Sequence, residues 1–200
     1  MSEIYGKLAL KFARKVTGIE KEIAGFYDPK TEYYNFDALW QDLIIKSKVI
    51  AKVKEFIATE VDGLFTISKI LATDTVTINY SFGSIPIISQ VCDLLKKDMI
   101  IWSENPDTSK VGPKMFGKLT DKDEVLIVHD LLREAITITD IVNTLSSTSK
   151  CKIKGIVVLL NTTDRTELSQ LGNFSIKYPV PIYSFVSNRD LEYISCARCE

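Results

Sequence analysis

The chain has 200 residues, of which 46% are hydrophobic, so it suits a single domain whose core needs neither disulfides nor metal. Its 25 basic and 26 acidic side chains leave a formal net charge of -1, which favours neither nucleic acid nor a membrane surface as a partner. The apolar runs have strand length and the N-terminus lacks the pattern of a signal peptide, so we expect a cytoplasmic protein with no membrane partner.

The predicted elements alternate between helices and strands along the chain. Apolar spacing predicts helices over residues 4–16 and about 36–58. Residues 62–71 fit either a helix or a strand, and alternating β-branched residues predict a strand over 75–80. The later elements are predicted in the order helix, strand, mobile loop or hairpin, strand, helix, strand and strand, over residues 85–95, 99–103, 104–122, 124–128, 137–147, 154–160 and 180–186.

Strands separated by helices predict βαβ units, an α/β fold with a mostly parallel sheet, and right-handed crossovers. No repeat or linker divides the sequence, so one domain over residues 1–200 is expected. The most informative corner is the stretch 125–137, where four apolar residues predict a buried strand. The pair His129 and Asp130 is predicted to end that strand, and a helix to begin near Thr137. Ligands of parallel α/β sheets bind at such strand-to-helix corners.

This stretch resembles the PRPP motif of the type I phosphoribosyltransferases, in which four apolar residues precede two acids, two more apolar residues and a loop rich in Thr and Gly. Over nearly the whole chain, the order of the segments looks like that of orotate phosphoribosyltransferase. The aromatic N-terminal part of that family is matched by Gly25-Phe26-Tyr27 with Tyr33-Tyr34-Asn35-Phe36, and its pyrophosphate turn by Gly83-Ser84-Ile85-Pro86. Its usually basic strand end corresponds to Trp102-Ser103-Glu104-Asn105, and its catalytic loop to residues 106–118. The cysteine-pair tail found on some members is matched by Cys196-Ala197-Arg198-Cys199.

The resemblance implies a three-layer sandwich with a small hood from about residues 1–40 and 187–200, and a mobile loop at about 104–122. It also implies Mg²⁺ on the pyrophosphate of PRPP and a homodimer in which each loop serves the partner's site. The site residues that it implies are Asp130, His129, Lys110 and Lys114 for catalysis, Arg133, Glu134, Ala135, Ile136, Thr137, Gly83 and Ser84 for PRPP or phosphate, and Phe26, Tyr33 and Tyr34 for the base.

Three residues of the corner depart from the motif. His129 replaces the first acid and supplies no fixed negative charge at neutral pH. Glu134 puts a carboxylate where a phosphate would bind, and Ile136 adds bulk where a small residue is expected. Arg133 is the one compensating cation, since a guanidinium suits phosphate geometry. These departures predict impaired activity.

Two hypotheses from different classes therefore stay open. The first is a glycosyltransferase of nucleotide metabolism that transfers phosphoribosyl from PRPP to a pyrimidine base and releases pyrophosphate. The second is a non-catalytic relative that binds a nucleotide, another metabolite or a protein partner in a regulatory role. In that second interpretation Glu134 only caps the following helix, and the lysines of the polar loop are solvated. The aromatic cluster is then a core or dimer contact, and its members are Tyr33, Tyr34, Phe36 and Trp40.

The four cysteines are interpreted as free thiols. Cys92 and Cys151 have the setting of buried or edge thiols. Cys196 and Cys199 supply half a zinc site at most, so no metal site is expected unless two chains share one.

Overall fold

The computed structural model describes residues 11–12, 26–28, 33–34, 36–61, 63–74, 84–103, 114–132, 135–162, 174 and 177–187. Its helices are α1 (Phe36–Gln41), α2 (Leu43–Glu60), α3 (Ile85–Leu95) and α4 (Ile136–Thr148). Its strands are β1 (Lys11–Phe12), β2 (Tyr27–Asp28), β3 (Tyr33–Tyr34), β4 (Lys69–Asp74), β5 (Asp98–Ser103), β6 (Lys114–Phe116), β7 (Glu124–Leu132), β8 (Lys152–Asn161) and β9 (Ile182–Ser187).

The main sheet has the spatial order β1-β9-β8-β7-β4-β5-β6, and β2 pairs with β3 in a separate hairpin. Neighbouring strands of the main sheet are parallel except β5 and β6, which are antiparallel. From β4 the chain passes through α3 to β5 on one side, whereas from β7 it passes through α4 to β8 on the other. The order therefore reverses between β4 and β7, which makes their carboxyl ends the topological switch point of the sheet.

Helices cover both faces of the sheet, as expected for a three-layer α/β sandwich. On one face, α1, α2 and α3 bury apolar side chains such as Val53 and Ile88 against Ile70 of β4. On the other face, α4 buries Ile138 and its neighbours against β7 and β8. Because both faces of the central strands are covered, those strands have continuous apolar sequences rather than alternating ones. Among the described residues, no helix has the combined length and hydropathy needed to cross a membrane.

Most of the predicted helices and strands are confirmed, with small changes at their ends. The helix over 85–95 is α3 with the predicted bounds, and the helix over 137–147 is α4. The helix over 36–58 is interrupted at Asp42, whose Oδ1 accepts hydrogen bonds from the backbone N–H groups of Ile44 at 3.0 Å and Ile45 at 2.9 Å. The carboxylate therefore caps a new helix, α2, at the point where α1 ends.

Two predictions near the N-terminal half are changed by the structure. The helix over 4–16 is wrong at Lys11 and Phe12, which form β1 and pair in parallel with Tyr183 and Ser184 of β9. A local apolar pattern contains no information about a pairing partner so distant in sequence. In so short a window the pattern also fits both the helical and the strand period. The ambiguous residues 62–71 contain a short 3₁₀ turn at Leu64–Thr66 and then the start of β4. The strand over 75–80 lies outside the described residues.

The polar segment 104–122 forms a hairpin where it is described. Its strand β6 runs antiparallel to β5, with Ser103 opposite Lys114. Residues 104–113 lie outside the described part of the chain. The predicted strands over 99–103, 154–160 and 180–186 correspond to β5, β8 and β9.

Candidate functional site

His129 and Asp130, the polar pair of the corner, lie inside strand β7 instead of at its end. The prediction that His129 and Asp130 end the strand is wrong, because β7 continues through Leu132. The reason is the neighbouring strand β8, which pairs with β7 up to Leu132 opposite Asn161 and so satisfies its backbone beyond the charged residues. Both side chains of the pair are buried, each residue being 3% exposed.

Ser84, at the start of α3, forms hydrogen bonds with both strands of the switch point, β4 and β7. Its Oγ accepts a hydrogen bond from the backbone N–H of Thr73 at 2.9 Å and donates one to the carbonyl oxygen of Val128 at 2.8 Å. Its own backbone N–H donates to the carbonyl oxygen of Thr73 at 3.0 Å. Ser84 is completely buried. Ser84, the second residue of the predicted pyrophosphate turn, therefore links β4 and β7, while Gly83 itself is outside the described residues.

His129 contacts β4 through the hydroxyl of Thr73. The distance between His129 Nδ1 and Thr73 Oγ1 is 2.9 Å, and which atom donates depends on the imidazole tautomer. His129 Nδ1 also lies 3.3 Å from Oδ1 of Asp130. The imidazole thus reaches from β7 to β4, and the same ring nitrogen contacts both the Thr73 hydroxyl and the carboxylate of the adjacent Asp130.

These residues continue a row that crosses the sheet near its carboxyl end. Thr73 is in register with Trp102 of β5, and His129 is in register with Val158 of β8. Trp102 is 2% exposed, and its indole Nε1 has no hydrogen-bond partner within the described part of the chain. A buried N–H donor without a partner carries a desolvation cost of roughly 1–3 kcal/mol. Trp102 is therefore a candidate donor to an acceptor group at this end of the sheet.

The predicted phosphate loop leads directly into α4. Ala135 precedes the helix without a side-chain cap of its own, and the N–H of Thr139 donates to the Ala135 carbonyl at 3.0 Å. Ile136 begins the helix with 58% of its surface exposed. Helix N-termini of this kind present backbone N–H groups to anions. Arg133 and Glu134, which are predicted to contact the same phosphate, lie outside the described residues.

An open groove of about 350 Å³ runs beside the start of α4. Its wall includes the buried ring of Phe174 and the ring of Tyr178, which lies 4.8 Å below the ammonium group of Lys177. The groove is lined by Ala135, Ile136, Thr139, Asp140, Phe174, Lys177 and Tyr178.

The remaining predicted site residues are spread over other elements. Phe26 is half-buried and packs against the core on the face covered by α2 and α3, and its contact with a base stays a prediction. Tyr33 and Tyr34 form β3, and nothing is described of their side chains. Lys114 begins β6 opposite the last residue of β5, so its backbone lies at the carboxyl edge of the sheet. Lys110 lies outside the described residues.

The structure thus gathers Ser84, His129, Asp130 and the start of α4 at one end of the sheet, and the ligand roles of these residues stay predictions. It also adds Thr73, which the sequence interpretation missed. The signal available for it was a threonine two residues after the segment 62–71, whose pattern fitted either a helix or a strand. Trp102 was noticed only as a departure from a basic strand end, and its unpartnered N–H is visible only in three dimensions.

Comparison with known proteins identifies the fold. No protein-family model matches the sequence, and no curated protein matches it either. Among solved structures, the adenine phosphoribosyl transferase of Trypanosoma brucei in complex with AMP, pyrophosphate and ribose-5-phosphate is 13% identical, with a TM-score of 0.65 over 92% of this chain and 87% of that one. The orotate phosphoribosyltransferase of Aeropyrum pernix is 14% identical, with a TM-score of 0.64 over 88% of this chain and 98% of that one.

A third similar structure is the orotate phosphoribosyltransferase of Mycobacterium tuberculosis in complex with PRPP. It is 10% identical, with a TM-score of 0.59 over 86% of this chain and 89% of that one. At such identities the likeness shows the fold, and the chain therefore has the fold of the type I phosphoribosyltransferases. The fold that the sequence resemblance implied is confirmed.

At the switch point the described side chains supply a single carboxylate toward a Mg²⁺ ion, while the side chain of Asp74, which ends β4 there, lies outside the described residues. This ion requires oxygen ligands and is held by one or two carboxylates together with the phosphates of a substrate. Asp130 is the single carboxylate that the structure describes at this corner, and it is buried beside an imidazole. Nowhere in the described part of the chain do three or more His, Cys, Asp or Glu side chains form a group able to hold a metal ion.

Proposed function

We propose that this protein is an orotate phosphoribosyltransferase-like member of nucleotide metabolism that binds a phosphoribosyl ligand between β4 and β7. The observation that carries the proposal is the Ser84 hydroxyl, which joins Thr73 of β4 to Val128 of β7 immediately before the PRPP-like corner. In an open α/β sheet the ligand occupies the crevice at such a switch point. Two structures of the same fold support the choice of ligand, since one is described with PRPP and another with AMP, pyrophosphate and ribose-5-phosphate.

The roles of the residues follow from the chemistry of the transfer. Departure of the leaving group builds positive charge on the ribose, and the protein chiefly positions the groups and balances charge. We assign Asp130 and His129 to the ribose hydroxyls. The backbone N–H groups of residues 135–137 then receive the 5-phosphate at the start of α4, where the helix dipole favours an anion.

We further propose that the transfer to a pyrimidine base is impaired, and that His129 is the main cause. Its imidazole contacts the Thr73 hydroxyl and brings no fixed negative charge toward a cationic ribose. Losing one preorganised electrostatic partner of a transition state typically lowers kcat by about 10²–10³-fold.

The experiment compares pyrophosphate release from PRPP with orotate, uracil or adenine as the acceptor base. The variants are His129→Asp, which restores the motif acid, and His129→Asn, which matches it in size without its charge. We expect slow release by the natural chain, an increase of about tenfold or more in the Asp variant and none in the Asn variant. A natural chain that turns over at about 1–10³ per second, the usual range for enzymes, would refute the impairment.

A non-catalytic ligand-binding protein is the second candidate. It is favoured by the burial of His129 and Asp130, each 3% exposed, because both side chains already contact other protein groups. Calorimetric binding of a nucleotide without pyrophosphate release by the natural chain or by His129→Asp would decide for this candidate.

Two further expectations are proposed here, of which the first rests on the family resemblance and the second on the strand length of the apolar runs. The first is a homodimer, which light scattering behind a sizing column tests directly. The second is a cytoplasmic location, which fractionation of the source cells tests.

A further inference from the structure

We propose that the outer face of α2 is a docking surface for an acidic amphipathic helix of another protein. The inner side of α2 packs into the core together with α3 and the sheet, so this outer face is directed away from the sheet. It combines exposed apolar side chains at the start of the helix with four lysines along its first three turns. The surface is separate from the switch point, so a partner here is independent of the proposed function.

The first turn of α2 exposes two adjacent large apolar side chains. Leu43 and Ile44 are each 72% exposed, while the apolar residues farther along the helix are buried in the core. A helix N-terminus favours acidic side chains, and the first turn of α2 contains none. The cap comes from Asp42, whose carboxylate already accepts from the N–H groups of Ile44 and Ile45. A partner that covers Leu43 and Ile44 would remove their apolar surface from water.

The same part of α2 concentrates positive charge. Its first twelve residues contain no acid and four lysines, which are Lys46, Lys48, Lys52 and Lys54. Lys48 is exposed and the other three are half-buried, as expected of long side chains whose stems pack along a helix. The next acid, Glu55, lies 2.8 Å from the ammonium group of Lys52, and this one pair still leaves three lysine charges. Because the whole chain has a formal net charge of -1, the face is a local cationic surface that carboxylates of a partner would complement.

A protein helix fits this face better than a membrane or a second copy of the chain. A bilayer gains from the insertion of bulky apolar side chains, but beyond the first turn the exposed apolar or uncharged positions are only Ser47, Ala51 and Ala58. The Ser47 hydroxyl donates to the carbonyl oxygen of Leu43 at 2.7 Å, so it is already paired within the helix. These small side chains leave room for the close approach of a second helix. A second copy would bring the same lysines against these lysines, and like charges repel.

The spacing of the lysines defines the partner further. Lys52 and Lys54 lie one and three residues after Ala51, so at 100° per residue they flank it on opposite sides of the helix face. A helix that packs along Ala51 therefore needs acidic side chains on both edges of an apolar stripe. This is the pattern of an acidic amphipathic helix, in which apolar anchors supply burial and flanking charges set the choice of partner.

The test is the fluorescence anisotropy of a labelled synthetic peptide titrated with the full chain. The peptide has 18 residues, the length of α2, and consists of leucine, alanine and glutamate with the glutamates on both edges of a leucine stripe. We expect a Kd of about 10–100 μM at about 0.1 M salt, and a Kd at least about fivefold higher at about 0.5 M salt, because salt screens the attraction. A scrambled peptide of the same composition should bind about tenfold more weakly. Equal Kd values for the two peptides, or no binding of the ordered one at about 1 mM, would overturn the inference.

Matched charge reversals locate the binding on α2. Lys52→Glu combined with Lys54→Glu should raise the Kd of the ordered peptide about tenfold or more. Lys118→Glu combined with Lys122→Glu changes the net charge equally at two exposed positions near the turn before β7, and should leave the Kd within about twofold. Thermal melting followed by circular dichroism establishes that each variant is folded. Equal effects of the two double variants would show that the peptide responds to net charge alone, which contradicts a surface on α2.

Ile44→Ser tests the apolar part of the surface without a change of charge. The variant replaces an exposed side chain outside the core, so we expect its melting temperature to stay close to that of the natural chain. Its Kd for the ordered peptide should rise about fivefold or more, because the peptide loses an apolar contact. An unchanged Kd would refute the role of the first turn.

The other two occupants give results of their own. Sedimentation of the chain with phosphatidylserine vesicles that is lost in the Lys52→Glu and Lys54→Glu double variant, without binding of the peptide, would assign the face to a membrane surface and refute the inference. A change of oligomeric state in Ile44→Ser, measured by light scattering, would assign the face to a second copy of the chain and refute it as well. Neither result bears on the switch point, so the proposed function would stand in both cases.

Discussion

Ser84 occupies the position where the resemblance expects the second glycine of the pyrophosphate turn, and its side chain links β4 to β7 by hydrogen bonds. The hydroxyl both accepts and donates, so it satisfies the N–H of Thr73 and the carbonyl of Val128 at once. Because the residue is completely buried, no water replaces these bonds if the hydroxyl is removed. Beyond the backbone pairing of Ala72 with Val128, this one side chain thus adds a link between the two strands where the ligand is proposed to bind.

We expect Ser84→Ala to lower the free energy of unfolding by roughly 1–3 kcal/mol, because it leaves a buried donor and a buried acceptor without their partner. Urea denaturation followed by circular dichroism measures the change. Ser89→Ala is the control, since Ser89 is half-buried on the same helix and its hydroxyl makes only a long bond of 3.5 Å to Pro86 within the helix. Equal midpoints for the two variants would contradict the structural role of Ser84.

The position of the site could be predicted from the sequence, whereas its burial could not. An apolar run followed by a polar pair and a helix start is a local signal, and it led to His129, Asp130 and the start of α4. The continuation of β7 past the pair depends on hydrogen bonds to β8, which no local pattern contains. The contact between His129 and Thr73 likewise joins two strands that are distant in sequence.

At the scale of elements, the turn that leads into β7 is organised by Asp123. Burial by itself would raise the pKa of this carboxyl group. It is outweighed by hydrogen bonds from the N–H and hydroxyl of Thr120 and from the hydroxyl of Ser68, together with the charge of Lys69, so the pKa lies below its ordinary 3.8. The carboxylate thereby ties the turn to the start of β4.

Asp123→Asn should make the protein less stable at neutral pH, and the deficit should shrink on acidification. The folded pKa of Asp123 is depressed, so its contribution is present above the unfolded pKa and is lost as the pH falls through the lower folded value. Urea midpoints measured from about pH 7 down to about pH 3 test this sign. Asp121→Asn alters an exposed acid of the same turn and serves as the control. A deficit that grows on acidification would contradict the assignment.

The elements that the sequence predicted best are those whose ends are marked locally. α3 begins with Pro86 in its first turn and has an apolar face, and its bounds match the expectation. The break between α1 and α2 was missed because the apolar repeat runs through Asp42, although aspartate is a common helix cap. β1 was missed because two residues acquire their structure only by pairing with β9.

At the scale of the whole molecule, the core shields the cysteines that the structure describes. Cys92 is buried on α3, and burial, followed by the charges of Asp93 and Asp98, raises the pKa of its thiol to about 12. Burial also raises the pKa of Cys151. The interpretation of both residues as buried thiols is confirmed.

We expect iodoacetamide at pH 8 to leave Cys92 unmodified in the native protein, because the thiolate is the reactive form and almost none is present. Labelling should rise in urea in parallel with the loss of the circular dichroism signal, since only unfolding exposes the thiol. Peptide mass spectrometry reports the modification, and the fully unfolded chain gives the maximum. Rapid labelling of Cys92 without urea would show that this part of the core opens on its own.

The pairing of β1 with β9 also affects how the molecule is made. During translation Lys11 and Phe12 leave the ribosome long before Tyr183 and Ser184. Strand β1 therefore stays unpaired until β9 has been synthesised. Meanwhile the nascent chain can assemble β4, β5, β7 and β8 from consecutive βαβ units, but the apolar edge of β8 stays uncovered until β9 arrives. Such an edge invites association with other chains, so this interval is when a chaperone would matter most.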